Sequence, residues 1–243
     1  MIDWAGKRYW LVGASEGLGA ALAHKMSAAG VQLVLSARSE DKLHDLAESL
    51  PGKAEVVTVD VSDADSVKAA AEKVGEIDGV VQIAGVYWPF GAKDWDADQA
   101  TAMADINFTG AMRLIGAVVP KFVERDAGHI VLTGSLSGFR GLPGAAAYTS
   151  SKAGVMTLAE SLYADLHKTN VRVQLVNPGF VKTRLTDKND FNMPFIMEPE
   201  DAAREYFEHM NTDAFKRSFP TLFSWVFRGS QFLPDWLYYR LFA

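Results

Sequence analysis

The chain has 243 residues, nearly half of them apolar, and a formal net charge of −6. That is enough apolar material for a substantial core, while the acidic balance argues against a nucleic-acid partner, because a protein that neutralises phosphates displays a basic face. With no cysteine, disulfides, thiolate nucleophiles and Cys-ligated zinc are excluded, which fits a reducing compartment, and no metal site is expected.

In chain order, Arg8–Val12, Val31–Ser36, Glu55–Val59, Gly79–Ala84, His129–Thr133 and Arg172–Val176 read as buried strands. Each is short, apolar and bounded by polar or glycine signals. Between them, Gly17–Ala29, Asp41–Leu50, Asp63–Val74, Ala100–Arg125 and Ala146–Lys168 carry helical spacing. Strands alternating with helices predict an α/β fold: a Rossmann-type, doubly wound parallel sheet in three α/β/α layers, with ligands at the carboxyl ends of the strands. The pattern runs unbroken to about residue 180, so residues 1–243 are expected to form one domain. Residues 185–199 read as a substrate loop, Glu198–Met210 as a helix, and 214–243 as an aromatic, helical extension in which Arg217–Pro220 could form a short edge strand. The N-terminus shows no secretory signal and no apolar run reaches the roughly 18 residues that span a bilayer. A cytoplasmic protein is the expectation.

Three groups of residues carry chemistry. Gly13-Ala14-Ser15-Glu16-Gly17-Leu18-Gly19 joins the first strand to the first helix; glycines there allow positive φ and let backbone N–H groups approach a pyrophosphate, which a helix N-terminus also favours. Tyr148 and Lys152 stand four residues apart, on one face of a helix. Ser135 follows the fifth strand, thirteen positions before Tyr148, at the edge where the ligand crevice opens.

In the spacing G-x-x-x-G-x-G and in Ser135, Tyr148 and Lys152, the chain resembles the short-chain dehydrogenase/reductase family, with Val12 in place of the family's usual Thr before the first glycine. The resemblance implies a nicotinamide-dependent oxidoreductase acting on a carbonyl or alcohol. Asn107 matches the family's fourth catalytic position, where it would hold a water that relays protons to Lys152. Tyr148 would exchange a proton with the substrate oxygen. Its ordinary pKa near 10 is expected to be depressed by the Lys152 ammonium and the oxidised nicotinamide. Lys152 would also bond the nicotinamide ribose, and Ser135 would donate to the substrate oxygen.

By the same resemblance the cofactor contacts are Gly13, Ser15, Glu16, Gly17, Leu18 and Gly19, then Arg38, Asp60, Val61, Ala84 and Gly85, then Asn107, Tyr148, Lys152, Pro178, Gly179, Val181 and Thr183. Where the family shows Asn-Asn-Ala-Gly, this chain has Gln82-Ile83-Ala84-Gly85. Arg38 just past the second strand, with no carboxylate at the strand tip, favours NADP(H), with NAD(H) possible. Glu16 opposes that preference through like-charge repulsion of a 2′-phosphate, unless its carboxylate points away.

Tyr87, Trp88, Leu136, Leu142 and Phe180 are candidate substrate contacts, and their apolar character points to a hydrophobic small-molecule carbonyl or alcohol. The family implies a homodimer or homotetramer. The tail, with aromatic residues accompanied by Lys216, Arg217, Arg228 and Arg240, would cover the pocket, meet another subunit, or make a peripheral membrane contact. The alternatives to an enzyme are a nicotinamide-nucleotide sensor without turnover and a membrane-edge binding protein on the same fold.

Overall fold

The computed structural model describes residues 2–242. Its elements are β1 (Arg8–Val12), α1 (Gly17–Ala28), β2 (Gln32–Ser36), α2 (Glu40–Ser49), β3 (Ala54–Val56), α3 (Ala64–Val74), β4 (Gly79–Gln82), α4 (Ala97–Ala104), α5 (Gly110–Glu124), β5 (Gly128–Thr133), α6 (Ala146–Leu166), β6 (Val171–Pro178), α7 (Pro199–Met210), β7 (Lys216–Phe219), α8 (Thr221–Ser230) and α9 (Asp235–Phe242). The seven strands form one sheet in the order β3-β2-β1-β4-β5-β6-β7, and every neighbouring pair is parallel.

Successive strand residues face opposite ways, and both faces are covered. Trp10, Val12, Val80, Ile130 and Leu132 point into the layer that holds α3, α5 and α6. Tyr9, Leu11, Val81, Val131 and Val176 point into the layer of α1, α2 and α7. Trp10 and Leu11, adjacent in sequence, are both fully buried, which explains why the strands read as unbroken apolar runs. Each large side chain so buried contributes roughly 2–3 kcal/mol.

The chain winds outward from β1 to β3, returns to lay β4 beside β1, and winds outward the other way to β7. The carboxyl ends of β1 and β4 therefore flank the crevice where such sheets bind ligands.

Several boundaries differ from expectation, each for a local reason. The third strand is Ala54–Val56, not Glu55–Val59: as an edge strand it pairs only with β2, and that ladder ends at Leu35 and Val56. The fourth stops at Gln82 rather than Ala84, because the N–H groups of Ile83 and Ala84 both turn to the carbonyl of Val12. The helix expected over Ala100–Arg125 starts at Ala97, where the Asp96 carboxylate accepts from the N–H of Gln99. It is interrupted by a π-helical turn, Asp105–Thr109. This run, Ala97–Glu124, is long and apolar enough by composition to cross a membrane. In the fold, Ala111, Leu114, Ile115, Val118 and Phe122 of it are packed into the sheet's core. The edge strand expected at Arg217–Pro220 forms one residue earlier, beside β6, and the tail beyond it is helical as expected.

Candidate active site

The glycine loop is held by backbone geometry. Gly13 has φ +95° and Gly17 has φ +56°, conformations that residues with a Cβ rarely adopt. A Cβ on Gly13 would fall 2.4 Å from the backbone N of Ala84, and one on Gly19 would fall 2.0 Å from the carbonyl of Gly13. The loop thus lies against the end of β4, at the switch point. The Glu16 side chain at the N-cap makes no capping bond to the first turn of α1, so among the described residues its leading N–H groups remain available for an anion. These features fit a dinucleotide's pyrophosphate.

Glu16 is held by two cations. Its carboxylate accepts from Lys42 of α2 at 2.9 Å and pairs with Arg184, in the loop after β6, at 2.6 Å. Two cations on one carboxylate cancel the repulsion that Glu16 would otherwise exert on a phosphate. Arg38 is exposed and makes no ion pair among the described residues. It lies close enough to Asp60 to help hold that carboxylate low. Burial alone would raise Asp60, but two hydrogen bonds from Ser62 and the charges of Arg38 and Arg113 outweigh it. The cap of α3 is Asp63, whose side chain accepts from the N–H of Asp65; Asp60 and Val61 precede it and carry no capping duty.

The catalytic candidates converge at the carboxyl edge of β4 and β5. Ser135 Oγ accepts from the N–H of Ser137 at 3.2 Å and from its hydroxyl at 2.9 Å. Both lone pairs are engaged, so the Ser135 proton is left to donate. Burial pushes the Tyr148 phenol up to about 12, outweighing the lowering by the Ser135 hydroxyl beside it. Burial likewise brings the Lys152 ammonium down to about 8. The lowering expected for Tyr148 from Lys152 together with the oxidised nicotinamide belongs to the cofactor-bound protein; in the free protein burial sets the phenol. At neutral pH, without cofactor, Tyr148 is a neutral acid.

Lys152 Nζ donates to the carbonyl of Thr133 at 3.0 Å and lies 5.9 Å from the centre of the Tyr148 ring. Two of its three donors remain for a ligand. Gly85 stands against the pair: a Cβ there would meet Asn107 Oδ1 at 3.2 Å and Lys152 Nζ at 3.6 Å.

Asn107 sits in the π-helical turn, completely buried. Its amide hydrogens go to the carbonyl of Val86 and to Ser151 Oγ, both at 3.0 Å, and its Oδ1 accepts from the N–H of Val86 at 2.7 Å. The side chain is a clamp between the β4 loop and α6, with no hydrogen left for a water.

Pro178 and Gly179 lie at the end of β6, and a Cβ on Gly179 would press on Leu136 at 3.1 Å. Val181 bridges to Met197, and the Thr183 methyl packs where a Gly17 Cβ would stand, 2.7 Å away. Of the substrate candidates, Tyr87 meets the Tyr148 ring edge-on at 4.9 Å. Leu136 is buried, Trp88 lies under the Lys188 ammonium at 4.6 Å, and Phe180 packs on Phe191 and Phe223. Nothing in the structure ties Leu142 to the site.

Sequence inspection missed Lys42, Arg184, Ser137 and Ser151. Only Ser137, two residues from Ser135 in a turn-forming stretch, left a readable signal.

Comparison with known proteins agrees with this geometry. Residues 7–193 match the family model described as short chain dehydrogenase. An uncharacterized oxidoreductase of Myxococcus xanthus is 39% identical over 235 residues, covering 94% of this chain and 93% of that protein. One from Staphylococcus epidermidis is 34% identical over 197 residues, covering 79% and 86%. Among solved structures, a short-chain dehydrogenase/reductase from Burkholderia phymatum in complex with NAD superposes with a TM-score of 0.86 at 24% identity, covering 94% of each chain. A short-chain dehydrogenase from Sphingobium yanoikuyae in complex with NADPH superposes at 0.83 with 25% identity, covering 92% of this chain and 91% of that one. The chain is therefore a member of the short-chain dehydrogenase/reductase family of oxidoreductases.

Proposed function

We propose that the protein interconverts a hydrophobic carbonyl compound and its alcohol with NADP(H) as the favoured cofactor, Tyr148 being the general acid and base. The observation that carries this is the Ser135–Tyr148–Lys152 group beside the glycine loop, with the Ser135 proton left free by Ser137. When bound, the reduced nicotinamide supplies a hydride to the carbonyl carbon. Tyr148, neutral in the free protein, then gives its proton to the carbonyl oxygen, so that C–H and O–H bonds form as the C=O π bond is lost. Ser135 donates to the same oxygen as its charge develops.

Lys152 retains two donors for ribose hydroxyls, and its charge next to Tyr148 favours the phenolate left after transfer. Because the Asn107 side chain is committed, a relay water to Lys152 falls to the backbone of the π-helical turn, where the widened turn displaces a carbonyl from its usual helical donor. The glycine loop and the first turn of α1 would hold the pyrophosphate, with Ser15 and Leu18 contributing N–H groups. Asp60, Val61, Ala84 and Gly85 would line the adenosine. Arg38, exposed and in no ion pair among the described residues, would receive the 2′-phosphate, and Glu16, already paired with two cations, would not repel it. Pro178, Gly179, Val181 and Thr183 would wall the nicotinamide. Tyr87, Leu136 and Phe180 supply an apolar surround for the substrate.

The test is oxidation of NADPH and NADH over a panel of aldehydes, ketones and quinones, with Tyr148→Phe as control. Loss of the general acid should lower kcat by about 10²–10⁴. No turnover across the panel, or an unimpaired Tyr148→Phe, would refute the catalytic assignment.

A further inference from the structure

The C-terminal helix pair, α8 and α9, has no use in the chemistry above. Arg140, from the turn after β5, fastens it to the body. The guanidinium donates to the carbonyls of Ser230 and Leu233 at 2.6 and 2.7 Å and to the Asp235 carboxylate at 2.5 Å. It also stacks 3.9 Å over the centre of the Tyr238 ring. Tyr238 is buried, and its hydroxyl donates to Gly141 at 2.7 Å; Gln231 donates to Phe139 at 3.0 Å.

Those contacts leave a further face of each helix apolar and open. Leu222, Trp225 and Val226 share one face of α8 at i, i+3, i+4 spacing and are 50–65% exposed. Trp236 and Tyr239 share one face of α9 and are 69% and 56% exposed, and Phe232 between the helices is 89% exposed. A fastened helix pair that leaves this many large rings in water is built for a contact. The substrate loop adjoins it, with the Phe195 ring tilted against Phe223 at 5.4 Å.

Charge identifies the partner. The sole acidic residue of the helix pair, Asp235, is already paired with Arg140. Arg228 and Arg240 are exposed and make no ion pair among the described residues. The rest of the chain is acidic overall. A second copy packed helix pair to helix pair by two-fold symmetry would bring these arginines into a shared apolar patch with no free carboxylate from these helices to answer them. An anionic lipid surface supplies both what the rings and what the arginines need: tryptophan and tyrosine favour the headgroup boundary, and arginine reaches lipid phosphates. We propose that the α8–α9 helix pair docks the protein peripherally on an anionic membrane surface, with the loop around Phe195 at headgroup level.

The test is flotation of the full-length protein with vesicles of phosphatidylglycerol and phosphatidylcholine, and with phosphatidylcholine alone. The protein should float with the anionic vesicles, less so in high salt and less so on the neutral ones. Trp225→Glu with Trp236→Glu, both at exposed positions, should reduce partitioning by at least about tenfold. Unchanged circular dichroism and unchanged turnover of a water-soluble aldehyde would show that the variant is folded. The proposal fails if the wild type does not float on anionic vesicles, or if the variant floats as well as the wild type. It fails equally if the wild type stays with the buffer as a dimer that the variant converts to monomer, which makes the face a contact between copies. Flotation requires no turnover, so its outcome is independent of the catalytic assignment.

Discussion

Replacing Lys152 by methionine should abolish turnover yet stabilise the free protein at neutral pH, and its magnitude can be worked from the structure. Lys152 is 4% exposed and held at about 8 rather than 10.5 by burial. At about 1.4 kcal/mol per pH unit, the folded state carries a penalty of about 3 kcal/mol for keeping it charged below pH 8. Methionine removes the penalty and keeps the stem's packing, but leaves the Thr133 carbonyl without its donor, a loss of about 1–2 kcal/mol. The variant should therefore gain about 1–2 kcal/mol at pH 7. Between pH 8 and 10.5 the unfolded chain holds a lysine proton that the folded chain has released, so wild-type stability rises with pH there. The variant lacks that rise, and the difference should change sign by pH 10.5. Urea unfolding of both proteins at matched concentration, from pH 7 to 10.5, measures it. A difference that does not vary with pH would refute the buried-charge account.

Arg38→Ala should weaken NADPH by about tenfold to hundredfold, the worth of a charge-assisted bond, and leave NADH unchanged; equal loss for both in a fluorescence titration would remove the phosphate role. Glu16→Gln should tighten NADPH, because Lys42 and Arg184 lose their carboxylate, and weaker NADPH binding would contradict it. Ser137→Ala frees a lone pair on Ser135 and should lower kcat by about three- to tenfold with KM little changed, consistent with about 1 kcal/mol for one hydrogen bond; an unaltered kcat argues that Ser135 needs no such orientation. Acid should destabilise the fold through His129, which burial holds neutral down to about pH 3. The unfolded histidine takes its proton near 6.5, so this contribution is complete above pH 6.5 and is lost progressively as pH falls toward 3. A urea midpoint that stays flat from pH 7 to 4 would exclude it.

Much of this was legible in the sequence, and the limits were physical. Strands covered on both faces read as unbroken apolar runs, so β1, β4, β5 and β6 were found to within a few residues. β3, at the edge, had no second neighbour to fix its length. The glycine loop and the Ser135, Tyr148 and Lys152 positions were visible because each depends on spacing along one short segment. Glu16 could not be judged that way, because its partners lie 26 and 168 residues on, at Lys42 and Arg184, and surface charges carry no periodicity. The π-helical turn at Asn107 was hidden inside a continuous helical pattern. The departure at Gln82 and Ile83 is resolved by two local bonds: Gln82 Nε2 donates to the Ala84 carbonyl at 2.8 Å, and the Ile83 N–H goes to Val12. These hold the end of β4 without the family's asparagines.

The two ends of the sheet show why a penalised lysine can persist at the site. At the amino edge, His129 Nε2 meets Gln174 Oε1 at 2.9 Å, and its Nδ1 meets the Tyr9 hydroxyl at 2.8 Å. The Gln174 amide hydrogens are spent on carbonyls around His209 and Thr212, so Oε1 must accept, which puts the imidazole proton on Nε2 and makes Tyr9 the donor to Nδ1. That chain is neutral and joins β1, β5, β6 and the segment after α7, so its burial stabilises the fold. At the carboxyl edge the same strands deliver Ser135, whose proton is left free, and Thr133, whose carbonyl holds a charge the pocket disfavours. The satisfied network at one edge stabilises the fold against the desolvation penalty that Lys152 carries at the other.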